Sequence, residues 1–300
     1  MTITLFENFR ALFYAPFYAA HAIGAYEAEG VAVAFRASPD PAVSQAALRS
    51  GAADVAWGGP LRVLLAHDAD PASDLVCFCQ VVARDPFFVL GREPLGEFTL
   101  ADLRGRRVGV VSEVPTPWLC LQDDLRRAGV PLASVDWVRG ASMAQNAEAL
   151  RSGQLDAAQM FQPYAERLLR DGGARLWYAA AERGLTSYTS LNTRRSVLEA
   201  RTDELLAMTR AMGRTLRWLR QASADDAAGA VAGYFPELDD ALIAAAISRY
   251  RALELWSEDP LLPREGFDRL KHAMLSGGAI LRDIPYDECV DVGLASRVAA

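Results

Sequence analysis

Apolar residues recur along the chain with two periods. Runs that are continuously apolar or that alternate with polar residues, as strands do, fall at 2–7, 31–36, 54–57 and 75–83. They return at 87–90, 107–112, 134–138, 156–160, 175–179 and 186–192. Between them, apolar positions spaced three and four apart predict helices. The first starts near Pro16, since proline suits the first helical turn, and runs through His21 to Gly30. Others run from the turn Ser38-Pro39-Asp40-Pro41 to Ser50 and over 61–67, 118–129 and 163–169, with a single turn at 99–103. Strands alternating with helices predict an α/β fold. After Thr202 the strand pattern stops. Segments 202–219, 225–233, 238–253 and 263–275 carry helical spacing, and this tail is expected mainly to pack on the first half of the fold.

One stretch is written twice. Ala47-Leu48-Arg49-Ser50-Gly51-Ala52-Ala53-Asp54-Val55-Ala56 returns as Ala149-Leu150-Arg151-Ser152-Gly153-Gln154-Leu155-Asp156-Ala157-Ala158. Each copy reads as a last helical turn, a glycine just past the helix end, a short turn and a buried strand. A repeated helix-to-strand junction predicts two similar α/β lobes. The residues after each copy then sit at the carboxyl end of a strand, where open α/β sheets hold ligands. They are Trp57-Gly58-Gly59-Pro60 and Gln159-Met160-Phe161-Gln162-Pro163-Tyr164. Arg84-Asp85-Pro86 marks one crossing between lobes, and the extended run from Thr186 marks the return. The expected layout is discontinuous. Residues 1–83 and 186–300 form lobe one with its helical tail, residues 84–185 form lobe two, and the two crossings make a hinge.

Three hundred residues hold two domains of ordinary size. A composition 51% hydrophobic and 23% charged is that of a folded globular chain. The net charge of −7 argues against nonspecific nucleic-acid binding. No apolar run approaches the ~20 residues of a membrane helix, so neither nucleic acid nor membrane insertion is expected. Lys271 is the single lysine. Cys77, Cys79, Cys120 and Cys289 do not call for an oxidising compartment. The first two lie on one face of a strand, a poor geometry for a disulfide. The chain opens Met1-Thr2-Ile3-Thr4-Leu5-Phe6, which reads as a first strand and not as a leader. The expected location is cytoplasmic for a chain complete as written and periplasmic for one from which a leader was removed.

Five stretches carry a family likeness. They are Ala22-Ile23-Gly24-Ala25-Tyr26 through Glu29-Gly30-Val31; Ser50 to Ala56 with Gly58-Gly59-Pro60; Gln80 to Phe88; Asp102 to Val110; and Tyr164-Ala165-Glu166. Together they resemble the substrate-binding proteins of ABC transporters for sulfonates, nitrate, taurine and thiamine-pyrimidine precursors. The resemblance spans nearly the whole chain and is specific for the fold. It implies a two-lobed, type II periplasmic-binding-protein-like fold: two α/β lobes, a hinge and C-terminal helices. It also implies a non-enzymatic role, with lobes closing on a small-molecule ligand, no cofactor or metal, and docking on an ABC transporter permease.

A binding cleft needs a concave, mostly apolar surface with a few placed polar groups. The expected contacts are Asn8, Phe9, Phe13, Trp57, Gly59, Arg84, Asp85, Pro115, Thr116, Trp118, Phe161 and Tyr188. Phe13, Trp57 and Trp118 are expected to stack on an aromatic or heterocyclic ligand, at ~0.5–1.5 kcal/mol per ring pair. Asn8 and Thr116 are expected to hydrogen-bond it, and Arg84 and Asp85 to fix the hinge. Arg10 and Gln162 offer further hydrogen bonds. The run Ser112-Glu113-Val114-Pro115-Thr116-Pro117 precedes a helix whose free N–H groups suit a sulfonate or carboxylate, at ~0.3–1 kcal/mol. Thr116 equally suits the N-cap of that helix. Glu113 weighs against a strong anion and for a ligand with N–H donors, such as an aminopyrimidine.

A second reading puts catalysis on the same fold. Thiamine-pyrimidine synthases, similar in fold, use a lysine carrying pyridoxal phosphate, a histidine and a cysteine-rich iron motif. Here Lys271 lies beside His272 on a late helix, far in sequence from every cleft loop. Cys77-Phe78-Cys79 lies inside a strand, and two thiols do not complete a metal site. Sulfinate desulfinases need a cysteine in the first loop, and residues 9–14 offer none. His21 reads as a packed or surface histidine, and Cys120 as core packing. A third reading, a sensor domain that hands its signal to a partner protein, stays open.

Overall fold

The computed structural model describes residues 2–38 and 40–299. The turn expected at 38–41 falls partly outside the described residues, because it contains Pro39. Strand β1 (Ile3–Phe6) leads through a short 3-10 turn into helices α1 (Ala15–Ala22) and α2 (Ala25–Ala28). The single helix expected over this stretch is broken. Gly24 takes φ +67°, a left-handed conformation in which glycine carries no Cβ strain, and α2 restarts after it. Next come β2 (Val33–Arg36), α3 (Pro41–Ser50), β3 (Val55–Gly58), α4 (Pro60–Ala69) and β4 (Leu75–Val82). Asp40 caps α3 by accepting from the Ala42 and Val43 N–H groups at 2.7 and 3.1 Å.

The chain then crosses to β5 (Phe88–Gly91), β6 (Arg107–Gly109), α5 (Thr116–Arg127), β7 (Asp136–Val138), α6 (Met143–Arg151), β8 (Ala157–Met160), α7 (Tyr164–Arg170) and β9 (Arg175–Ala179). It returns as β10 (Thr189–Arg194). The tail is α8 (Arg195–Ala200), α9 (Thr202–Gln221), α10 (Ala224–Ala232), α11 (Asp240–Ala252), α12 (Arg264–Ser276), α13 (Tyr286–Cys289) and α14 (Gly293–Ala299).

Two five-stranded sheets result, ordered β2-β1-β3-β10-β4 and β7-β6-β8-β5-β9. Each has parallel strands at one end and a fourth strand antiparallel to both its neighbours. That fourth strand, β10 or β5, is the one that arrives from the other sheet. The twice-written stretch builds the same junction in both. Gly51 and Gly153 take φ +80° and +79° at the helix ends. Thr4 N–H donates to the Asp54 carboxylate at 2.8 Å while Asp54 N–H donates back to Thr4 O at 3.1 Å. Asp156 repeats this with Arg107, at 2.8 and 2.9 Å. The shared aspartate therefore clamps the register of a strand to its neighbour.

The two crossings are bonded to each other. Thr186 and Tyr188 N–H donate to Ala83 and Val82 carbonyls at 2.8 and 3.0 Å, and Ala180 N–H donates to Phe87 O at 2.9 Å. The tail does more than pack on the first half, contrary to expectation. Its helix α11 sends Arg249 to Glu166 on α7 at 2.6 and 3.1 Å, and Asp239 before it pairs with Arg170. Tyr250 hydroxyl accepts from Gln162 N–H and donates to Pro86 O. Its helix α12 packs Phe267, Leu270 and Met274 into one cluster with Leu119 and Cys120 of α5. The tail helices thus present second faces, polar on α11 and apolar on α12, to the second half of the fold.

Candidate functional site

A cleft opens where the carboxyl ends of the two sheets face each other. Its larger chamber, about 580 Å3, is lined by Phe9, Arg10, Leu12 and Asp40 from the first half, Phe235 and Leu238 from the tail, and Glu113, Met143, Phe161, Gln162 and Tyr164 from the second. A narrower slot of about 20 Å3 adjoins it, sharing Phe9 and Val114. The slot is lined by Asn8, Phe13, Tyr14, Gly59, Leu61, Arg62 and Tyr188, and by Pro115 and Thr116 from the start of α5.

Eight of the expected contacts therefore meet at this cleft: Asn8, Phe9, Phe13, Gly59, Pro115, Thr116, Phe161 and Tyr188. Their rings pack on each other. Phe13 lies edge-on to Phe161 and Tyr188, with centroids 5.4 and 6.0 Å away, and is fully buried. Gly59 is where the backbone comes closest, since a Cβ there would meet Tyr188 O at 3.0 Å. Asn8 donates to Tyr14 hydroxyl at 2.9 Å through its amide nitrogen, and its amide oxygen is buried without a partner among the described residues. Tyr188 hydroxyl is likewise buried and unpartnered.

Four expected contacts lie elsewhere. Trp57 is fully buried, stacked on Phe17 at 4.6 Å and on Phe35 at 5.3 Å. Its side chain points back from the strand into the packing under the sheet, so it holds the first half together and does not reach the cleft. Trp118 sits on the opposite face of α5 from Thr116, against Trp137 and under Arg139. Arg84 pairs with Glu254 at 2.7 Å, in a separate depression beside the crossings. Asp85 is buried beside the crossings and accepts from Arg183 at 2.6 Å. Burial pushes its carboxyl upward, and Arg183 offsets part of that. Arg183 also grips Asp124 of α5.

Several cleft residues carried no clear signal in sequence. Phe235 and Leu238 come from the tail and reach the cleft only through tertiary packing. Glu113 spends both carboxylate oxygens internally, accepting from Met143 N–H at 2.7 Å and Ser112 N–H at 3.2 Å. It caps α6 while lining the chamber. Thr116 is not an N-cap; that position belongs to Pro115, no side chain caps α5, and Thr116 is its first residue. Arg62 had a local signal that went unread: it stands three residues after Gly59, on the first turn of a helix that no side chain caps. The thiols sit away from the cleft. Burial raises Cys120 well above the usual thiol range, the reverse of nucleophile activation.

Two sheets of identical strand order, joined by a bonded pair of crossings with a cleft between them, define the two-lobed periplasmic-binding-protein fold. The periplasmic aliphatic sulphonate binding protein SsuA from Escherichia coli shares it at TM-score 0.77 and 17% identity, over 94% of each chain. The desulfurization enzyme DSZB shares it at TM-score 0.71 and 14% identity, over 99% of each chain. In sequence, YtlA of Bacillus subtilis (strain 168), a binding protein by name only, is 25% identical over 296 residues, 98% of this chain and 89% of the relative. The NMT1/THI5-like family model matches residues 13–241. The chain belongs to the NMT1/THI5-like family.

Proposed function

We propose that the chain is a non-enzymatic solute-binding protein of an ABC importer, which closes on a small ligand with an apolar, ring-compatible body. The observation that carries this reading is the cleft. About 580 Å3 of space lies between the two halves, lined by apolar and aromatic side chains (Phe9, Leu12, Met143, Phe161, Phe235 and Leu238 among them) interspersed with the charged Arg10, Asp40, Glu113, Arg167 and Glu237, and a concave site of apolar walls with placed polar groups is how small-molecule sites are built. Residues 1–83 with 186–300 and residues 84–185 act as the two closing bodies, with the bonded crossings as hinge. The closed form docks on a membrane permease, and the importer role carries an exported location with it, which cell fractionation tests.

A thermal-shift panel of aromatic acids, sulfonates, nitrate, aminopyrimidines and thiamine tests the reading. A ligand at ~100 times its dissociation constant stabilises the protein by ~2.7 kcal/mol. Recovery of the hit unchanged after long incubation is the expected outcome. A hit that is consumed points instead to an enzyme of the desulfinase or thiamine-pyrimidine-synthase kind, and no hit from any class removes the proposal.

A further inference from the structure

The slot differs in character from the chamber. Two helix ends meet across it, those of the ten-residue α4 and the twelve-residue α5, and neither has a side-chain cap. Pro60 and Pro117 carry no N–H and the Arg62 N–H is spent on Gly59 O at 2.9 Å, so these ends contribute chiefly partial positive charge. Arg62 stands on the first turn of α4 and lines the slot half-buried, its guanidinium making no hydrogen bond or ion pair to any described residue. Burial lowers its pKa, and the Tyr14 hydroxyl and the Asp40 carboxylate offset part of that without bonding to it.

Independent polar groups point the same way. Thr116 is 9% exposed and its hydroxyl is bonded to no described residue, while Asn8 and Tyr188, 4% and 6% exposed, each hold an unpartnered polar atom. All three line the slot. Buried polar atoms are ordinarily paired. The Tyr188 and Thr116 hydroxyls can donate to a bound group beside the Arg62 charge, whereas the open atom of Asn8 is its amide oxygen, an acceptor, with its amide N–H already given to Tyr14. The other helix ends nearby are already filled. Glu113 and Ser142 cap α6, and the Gln162 side chain accepts from Glu166 N–H on α7 at 2.8 Å.

We propose that the slot is a head-group subsite for a carboxylate, so that the ligand is a monocarboxylic acid with its apolar body in the chamber. The proposal rests on the solute-binding reading and names its substrate class. Size separates carboxylate from sulfonate. The slot's free volume of about 20 Å3 suits a group little larger than one water. A carboxylate lays two oxygens in one plane, which a guanidinium fork meets edge-on. A tetrahedral sulfonate brings a third oxygen and is the bulkier group, so the small slot favours the carboxylate.

Matched probes test this by calorimetric titration of the full chain: benzoate, benzenesulfonate and benzamide, then hexanoate, hexanesulfonate and hexanamide. The expected result is that one acid binds at least about tenfold more tightly than its sulfonate and its amide. Arg62→Ala then loses about tenfold or more for the acid and little for the amide, and Arg62→Lys recovers part of the loss. Amide binding that survives in Arg62→Ala shows that the variant is folded. A sulfonate that binds as tightly as its acid overturns the proposal, as does an Arg62→Ala variant with unchanged acid affinity. Amides that bind while the acids do not remove the head-group subsite and leave the solute-binding reading standing. Binding of none of the probes removes the carboxylate class, and the broader panel above then decides the reading itself.

Discussion

The two copies of the helix–glycine–strand junction have the same backbone and opposite uses. Aligned on Asp54 and Asp156, Trp57 corresponds to Gln159, Gly59 to Phe161 and Arg62 to Tyr164. In the first copy the strand ends in glycines, the following helix α4 has no side-chain cap, and Arg62 stands on its first turn with a guanidinium that bonds to no described residue. In the second the strand ends in an aromatic ring, and Gln162 closes the end of α7 with its own side chain. Duplication supplied the frame, and the residues just past it decide which end is left open. The first copy leaves its helix end without a side-chain cap, and the second closes its own with Gln162.

The position that separates the copies most strongly is Trp57 against Gln159. Trp57 is enclosed by Phe17, Phe35 and Tyr18, whereas Gln159 ties β8 to Pro117 O at the start of α5 at 2.9 Å. Trp57→Ala should cost about 3–5 kcal/mol of stability, as large buried aromatics do, read as a lowered urea midpoint. Gln159→Ala should cost about 1–2 kcal/mol, mainly by stripping a buried carbonyl of its donor. Equal costs would mean that the two sheets are packed alike under this position and that the comparison is false.

The aspartates should behave more evenly. Both hold a neighbouring strand's N–H, but Asp54 also pairs with Arg201 at 3.0 Å. Asp54→Ala should therefore cost about 1–3 kcal/mol and Asp156→Ala about 1 kcal/mol. A larger loss at Asp156 would put the greater structural burden on the second copy.

The repeat, the positions of the strands along the chain and the cleft loops were legible because each rests on local chemistry: a glycine past a helix end, an aspartate at a strand start, a proline opening a helix. Eight of the twelve expected contacts reach the cleft for that reason, since strand ends fix where loops begin. Trp57 and Trp118 misled because sequence gives a side chain's position along an element and not the face it takes. Trp57 faces its own sheet's packing, and Trp118 lies on the face of α5 that meets Trp137 and Arg139. The tail's contribution was illegible for a different reason. Phe235 and Leu238 meet Phe161 across more than seventy residues of chain, and no periodicity encodes that distance.

Gln162 gives the next test of filled against open helix ends. Gln162→Ala uncaps α7, at about 0.5–2 kcal/mol, seen as a lower Tm with ligand affinity nearly unchanged. If instead the variant gains affinity for carboxylates, the second copy can also serve as a head-group site once its own amide is removed. The comparison would then hold only for the natural sequence.

The smallest expected effect lies where the tail spans the cleft. Arg249 and Glu166 join α11 to α7 across the two halves, and Glu166 also receives a bond from Gln162 Nε2 at 3.3 Å. The pair is partly exposed, so Arg249→Ala should cost only about 0.2–1 kcal/mol of stability. Its consequence for binding is separate. If this contact favours the closed arrangement, its loss shifts the population toward open forms, and affinity falls by the fraction of closed protein lost, about two- to fivefold. Titration of Arg249→Ala with any ligand of the wild type measures that fall, and unchanged affinity would assign the tail contact to stability alone. A rise in affinity would mean that the tail holds the cleft in a form the ligand must open.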